Sequence, residues 1–338
     1  MNIASLKASR RSSGLLTVLL AGLALTFTAC RDDDDNNTVT PPSSTITDAV
    51  VAGSQFTLLE AAVLRAGLET TLAGTGPFTV FAPTDDAFRA AGFADAAAIN
   101  GAPEATLRNI LLYHVLPGSF PAANIPAGQT ALPTALTANG TAYVSKAASA
   151  PATGTGVSVN GARVTAADAQ ASNGVIHTID QVLIPPTNNI LEVALADTSL
   201  SLLVAAAQRG GAAVTSALGG STALTVFAPT NAAFRATALN TVAAINAAPA
   251  ATLVSILTNH VVTNPGRAYS PIVSNGPITT FGTGSITAAV GTGNALTLLS
   301  PGNAGQVSTV LLNTPTARNR DITATNGVIH KIDRVLLP

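Results

Sequence analysis

The chain has 338 residues, 16 Lys and Arg against 17 Asp and Glu, and a formal net charge of −1 at pH 7. Charged residues make up only 10% and hydrophobic ones 47%, much of that alanine, so no basic patch is left for a nucleic-acid backbone. One cysteine rules out an internal disulfide, and the length suffices for two independent cores.

The first 29 residues read as a signal peptide. Lys7, Arg10 and Arg11 form a basic start, and Leu15 to Thr28 form an apolar run shorter than the roughly 20 residues that span a bilayer. Small residues then lead into Cys30, an order that resembles a bacterial lipobox in which the cysteine is lipidated and becomes the mature N-terminus. Phe27 stands where that signal usually has leucine, and a plain secretory signal with an incidental cysteine is the other reading. Residues 30–45 contain Asp32 to Asp35 and a Thr/Ser/Pro stretch, which reads as a solvated tether. Acidic residues just after the cysteine resemble the signal that sends some lipoproteins to the outer face of the outer membrane; a bare spacer is the alternative. Without residues 1–29 the chain loses three positive charges, which leaves a net charge of −4.

Residues 46–68 carry apolar positions at helical spacing, with Gly67 as the expected C-cap, and 189–211 repeat that pattern. Phe78 to Phe81 form a short β-branched and aromatic run, a buried strand that Ala82-Pro83-Thr84 is expected to break. Thr84 or Asp85 can cap the short helix that follows. Pro103 and Pro249 are expected at the first position of the next helix, which places Leu107, Ile110, Leu111 and His114 on one face. Residues 117–172 read as hairpins, and Asn173-Gly174 marks a turn before a strand over 175–180. Helices gathered first and strands second predict an α+β fold, a β-wedge or sandwich with several helices packed at one side.

The pattern occurs twice. FTVFAPTDDAF (78–88) returns as LTVFAPTNAAF (224–234), LRNILLYHVL (107–116) as LVSILTNHVV (253–262), and NGVIHTIDQVL (173–183) as NGVIHKIDRVL (326–336). The offset is 146 residues for the first two blocks and 153 for the third, too long for solenoid repeats. Two independent modules are therefore expected, at 46–185 and 189–338, joined by the stiff link Ile184-Pro185-Pro186-Thr187-Asn188.

These three ordered blocks resemble the fasciclin (beta-Ig-H3) domain in both modules. The resemblance implies a compact wedge of strands with helices, set in extracellular or cell-surface proteins that are often tandem and often adhesive. In adhesive animal relatives the Tyr-His block is implicated in receptor binding, which makes Tyr113 and His114 candidate contacts. The second module has Asn259-His260 there, and that difference favours a structural role for the histidine.

All four histidines fall at paired positions, His114 with His260 and His177 with His330. Their spacing fits no local metal motif, and no nucleophile elbow, phosphate loop or HExxH helix is present. Asp85-Asp86 becomes Asn231-Ala232, so a catalytic acid pair shared by both modules is excluded. Asp180 and Asp333 do match and read as turn or backbone acceptors. No cofactor or metal is implied. The reading favoured is a non-enzymatic, lipid-anchored, outer-membrane surface protein whose tandem modules contact other surface proteins, glycans or matrix. The alternative is an envelope lipoprotein that binds a small hydrophobic or sugar ligand, or a periplasm-facing structural protein.

Overall fold

The computed structural model describes residues 43–147, 155–282, 284–292, 295–314 and 318–338. The signal segment, Cys30 and the acidic run lie outside the described residues.

The first module opens with α1 (Ile46–Ala52), α2 (Thr57–Arg65) and α3 (Glu69–Leu72). Strand β1 (Phe78–Pro83) precedes α4 (Asp85–Ala90), α5 (Ala96–Gly101) and α6 (Glu104–Tyr113). Six strands complete it: β2 (Val115–Pro117), β3 (Gly128–Pro133), β4 (Thr141–Lys146), β5 (Val157–Val159), β6 (Ala162–Ala171) and β7 (Gly174–Ile179). The sheet order is β2-β1-β7-β6-β5-β4-β3. Every neighbouring pair is antiparallel except β1 and β7, which run parallel from Phe78 opposite Gly174 to Pro83 opposite Ile179.

The second module repeats the plan with α7 (Ile190–Ala196), α8 (Ser201–Gly210), α9 (Ala212–Gly219), β8 (Leu224–Pro229), α10 (Asn231–Arg235), α11 (Val242–Ala247) and α12 (Ala250–Asn259). Its later strands are β9 (Val261–Val262), β10 (Gly276–Thr279), β11 (Ser285–Val290), β12 (Leu296–Leu299), β13 (Ser308–Thr309), β14 (Ile322–Ala324) and β15 (Gly327–Ile332). They form two sheets, β10-β11-β12-β13 and β14-β15-β8-β9. Strands β8 and β15 pair in parallel, in the register of β1 and β7.

The central strands are covered on both faces, so they are apolar over most of their length and their polar residues, among them Thr79, His177, Thr225 and His330, are buried as well. Val80, Ala82 and Ile176 face the helices, packing with Leu59, Phe88 and Leu107. Phe81 and Ile179 face the other way, onto Tyr113, Val144 and Val159. The second module divides likewise, with Val226 and Ile329 toward its helices and Phe227 and Ile332 toward β11 and β12.

Four local expectations are corrected. The helical pattern over 46–68 breaks at Gly53 to Phe56, where a Cβ on Gly53 would sit 2.5 Å from the Phe56 ring. The bare glycine lets that buried ring fold back between α1 and α2. Gly67 lies one residue past the cap, which is Ala66. It adopts φ +61 while Leu68 N–H bonds Val63 O and Gly67 N–H bonds Leu64 O, a Schellman ending. Pro103 and Pro249 are the N-caps themselves, one residue before the helices begin, and Pro83 ends β1 inside the ladder without interrupting it.

Candidate functional site

Each histidine is buried and bridges two segments through both ring nitrogens. His114 caps α6, where Nδ1–H donates to Ile110 O at 2.7 Å and Nε2 accepts from Leu183 N–H at 2.9 Å. His260 does the same with Ile256 O at 2.8 Å and Leu336 N–H at 2.8 Å. His177 and His330 have the opposite tautomer. Nδ1 accepts from Asp168 N–H at 3.2 Å and Asp321 N–H at 3.3 Å, and Nε2–H donates to Phe120 O and Ala268 O. Burial above all pushes His114 and His260 down to about 4 and also lowers His330. His114 and His260 tie the closing segments to α6 and α12, while His177 and His330 tie β7 and β15 to the backbone at Phe120 and Ala268; none presents a free nitrogen to a substrate.

The acidic positions have the same character. Asp85 accepts from Leu58 N–H at 2.9 Å and from the Thr57 hydroxyl at 2.7 Å, so it caps α2, while Thr84 caps α4. Asn231 accepts from Leu202 N–H at 2.9 Å in the same way. The position needs an acceptor oxygen and no charge, which explains the exchange between modules. Asp85→Asn is expected to keep the stability of the first module, whereas Asp85→Ala costs about 1–2 kcal/mol, a drop of several degrees in its melting temperature. Asp180 and Asp333 accept from Arg163 N–H and Thr309 N–H across their strands.

Sequence reasoning gave Asn173 only a turn role and Asn326 none of its own. Asn173 Oδ1 accepts from Ile46 N–H at 2.9 Å, and Nδ2 donates to Leu72 O and Gly74 O, both at 2.7 Å. Asn326 makes the same three bonds to Ile190, Leu218 and Gly220. Their recurrence at matched positions was the available signal.

The three tyrosines of the chain gather where the modules meet. Tyr113 is fully buried; its hydroxyl donates to Thr141 O at 2.8 Å and accepts from Asn160 Nδ2 at 2.9 Å. Desolvation pushes it up to about 12 and raises Tyr269 as well. Tyr143 and Tyr269, one from each module, lie 6.1 Å apart between ring centroids. The Arg267 guanidinium sits 4.9 Å from the centroid of Tyr143 and also donates to Ala324 O, Thr325 O and Gly327 O, so the second module aims it at the first.

Asn160-Gly161 forms the tight turn between β5 and β6, both with positive φ. A Cβ on Gly161 would meet Asp321 Cγ at 2.3 Å, so glycine is what lets the two modules approach. Asn313 Nδ2 donates to Gln181 Oε1 at 2.9 Å, and Arg318 donates to Val182 O at 3.3 Å. Tyr113 stands behind the seam and holds Asn160, the residue before Gly161, by a bond within its own module. Its counterpart Asn259 likewise bonds within its own module, to Ser300 Oγ and Leu336 O.

Among the described residues, no three His, Cys, Asp or Glu side chains converge as a metal-ligand group, and no single helix is long and apolar enough to cross a membrane. What the fold and its paired frameworks define is a tandem of two homologous α+β modules joined along a tyrosine seam. The chain belongs to the fasciclin family: the fasciclin-domain family model matches residues 54–185 and again 198–338.

Protein sll1483 of Synechocystis sp. is 41% identical over 144 residues, 42% of this chain and 74% of that protein. Transforming growth factor-beta-induced protein ig-h3 of Sus scrofa is 29% identical over 273 residues, 80% of this chain but 36% of its own length. The chain thus spans about a third of that animal relative. A solved FAS1 domain pair from the insect cell adhesion molecule Fasciclin I is 19% identical, with a TM-score of 0.39 over 83% of this chain and 96% of that one.

Proposed function

We propose that the chain is a lipid-anchored surface protein that makes non-enzymatic adhesive contacts through its two fasciclin domains. The double match to the fasciclin-domain family carries this reading. The seam supports it, because two linked modules in a set arrangement make the second of two weak contacts intramolecular. The chemistry agrees: the ring nitrogens of all four histidines are engaged in framework bonds, and a surface with few charges suits glycans, matrix or other surface proteins. Cys30 is the proposed anchor and the outer-membrane surface the proposed location.

Cells that display the protein are expected to adhere to matrix-coated or glycan-coated surfaces, and a tag at Pro338 is expected to be digested by protease on intact cells. Cys30→Ala is expected to release the protein from the membrane fraction and abolish cell adhesion. Equal adhesion by cells lacking the protein, or unchanged membrane partition of Cys30→Ala, overturns the reading.

A further inference from the structure

The two modules share a framework yet differ on one face. In the second module α7, α8, α9 and α12 surround a half-open cavity of about 120 Å³, whereas the corresponding hollow of the first is about 20 Å³. Matched bonds fix which residues correspond. Ile46 and Ile190 both bind the clamp asparagine, and Leu58 and Leu202 both bind the helix-capping side chain. Ala135 and Phe281 both donate to the strand after the histidine.

Thr47 is thus replaced by Leu191, Glu60 by Val204 and Arg108 by Val254, which strips polar and charged groups from the rim. Val50 becomes Ala194 and Val63 becomes Ala207, which hollows the floor. In the first module the Arg108 guanidinium reaches across to Ala66 O; no such bridge is possible from Val254. The four-residue α3 becomes the eight-residue α9, which supplies a further apolar wall through Val214 and Leu218. Phe281, 54% exposed, stands at the mouth where the first module has alanine.

The polar groups in the lining are already satisfied. The Thr258 hydroxyl bonds Val254 O, and both nitrogens of His260 are engaged. Water entering such a space finds no partners, and apolar cavities of this kind stay dry and take small apolar molecules; one of about 150 Å³ holds benzene. The walls are aliphatic, and the open side lets a longer chain continue into solvent.

We propose that the second module binds the end of an unbranched alkyl chain in this cavity, with Phe281 packing over it. The tail could reach the site from a free amphiphile or from a bilayer lipid. The proposal stands independently of the adhesive reading.

The test uses the full chain carrying Cys30→Ala, methyl-labelled at Ile, Leu and Val. Titration with 1-octanol is expected to give saturable methyl shifts at Leu191, Leu203, Val204, Val214 and Val254, and none in the core of the first module. Val204→Glu and Val254→Arg, which restore the first module's residues at half-exposed positions, are expected to weaken binding at least tenfold. Phe281→Ser, at a residue 54% exposed, is expected to weaken it with the fold unchanged. Phosphatidylcholine vesicles form a second arm. Co-sedimentation lost in Val204→Glu assigns the tail to the bilayer, and octanol binding without co-sedimentation assigns it to a free amphiphile. Non-saturating shifts spread over both modules, or equal octanol affinity in all three variants, overturn the proposal.

Discussion

Asn173→Ala is expected to destabilise the first module by about 3–5 kcal/mol, the largest effect of any single substitution considered for it. One side chain pairs three backbone groups for which no other described residue supplies a partner: Ile46 N–H at the start of α1, and Leu72 O and Gly74 O at the end of α3. Leaving a buried donor or acceptor unpaired costs about 1–3 kcal/mol each, and Gly74 O is the least buried of the three. Asn173→Asp is not a rescue. It keeps an acceptor for Ile46 but turns a carboxylate oxygen toward two carbonyls, an uncompensated repulsion.

Asn326→Ala is expected to do the same to the second module, through Ile190, Leu218 and Gly220. Denaturant unfolding of the full chain, followed by a probe in each module, measures both. A loss below about 1 kcal/mol would show that water or a shifted loop takes over the bonds.

That residue also shows where sequence reading stops. Asn173-Gly174 announces a turn, and the turn is there, joining β6 to β7. Its partners lie 127 and 101 residues away, and no local pattern encodes a separation of that kind. The same holds for the parallel pairing of β1 with β7. Each strand is legible from its apolar run, but their adjacency depends on the whole intervening module folding back. Local chemistry was more readable: Thr84 caps α4, and the strand at Phe78 forms.

The break at Gly53 was hidden because glycine inside an apolar helical period costs little enough to be passed over, and only the Phe56 ring makes it decisive. The tyrosine seam was hidden for a further reason. Tyr143 and Tyr269 belong to different modules, so only the docking of those modules brings their rings together.

Lowering the pH from about 7 to about 4.5 is expected to destabilise both modules through their buried histidines. An unfolded histidine has the ordinary value of 6.5, whereas folded His114 and His260 are held down at about 4. Between those values the unfolded chain binds a proton that the folded chain does not, so stability is complete above 6.5 and falls as the pH drops. Each such histidine contributes up to about 1.4 kcal/mol per pH unit and about 3 kcal/mol over the whole window. The geometry gives the cause: burial comes first, and Nε2 of each ring already accepts an N–H, from Leu183 or Leu336, so a proton there would set donor against donor.

His330 is lowered too, by burial, with Asp321 opposing the shift, which adds to the loss of stability in the second module. Asp48 is also lowered, chiefly through its bond with Thr45, but it starts from 3.8 and acts below the histidine window. Urea unfolding at a series of pH values measures the slope, and His114→Gln, which cannot titrate, is expected to flatten it for the first module alone. A stability that stays level or rises between pH 6.5 and 4.5 would mean that the rings take up protons in the folded state, and that their bonds to Leu183 and Leu336 are not what holds the closing segments.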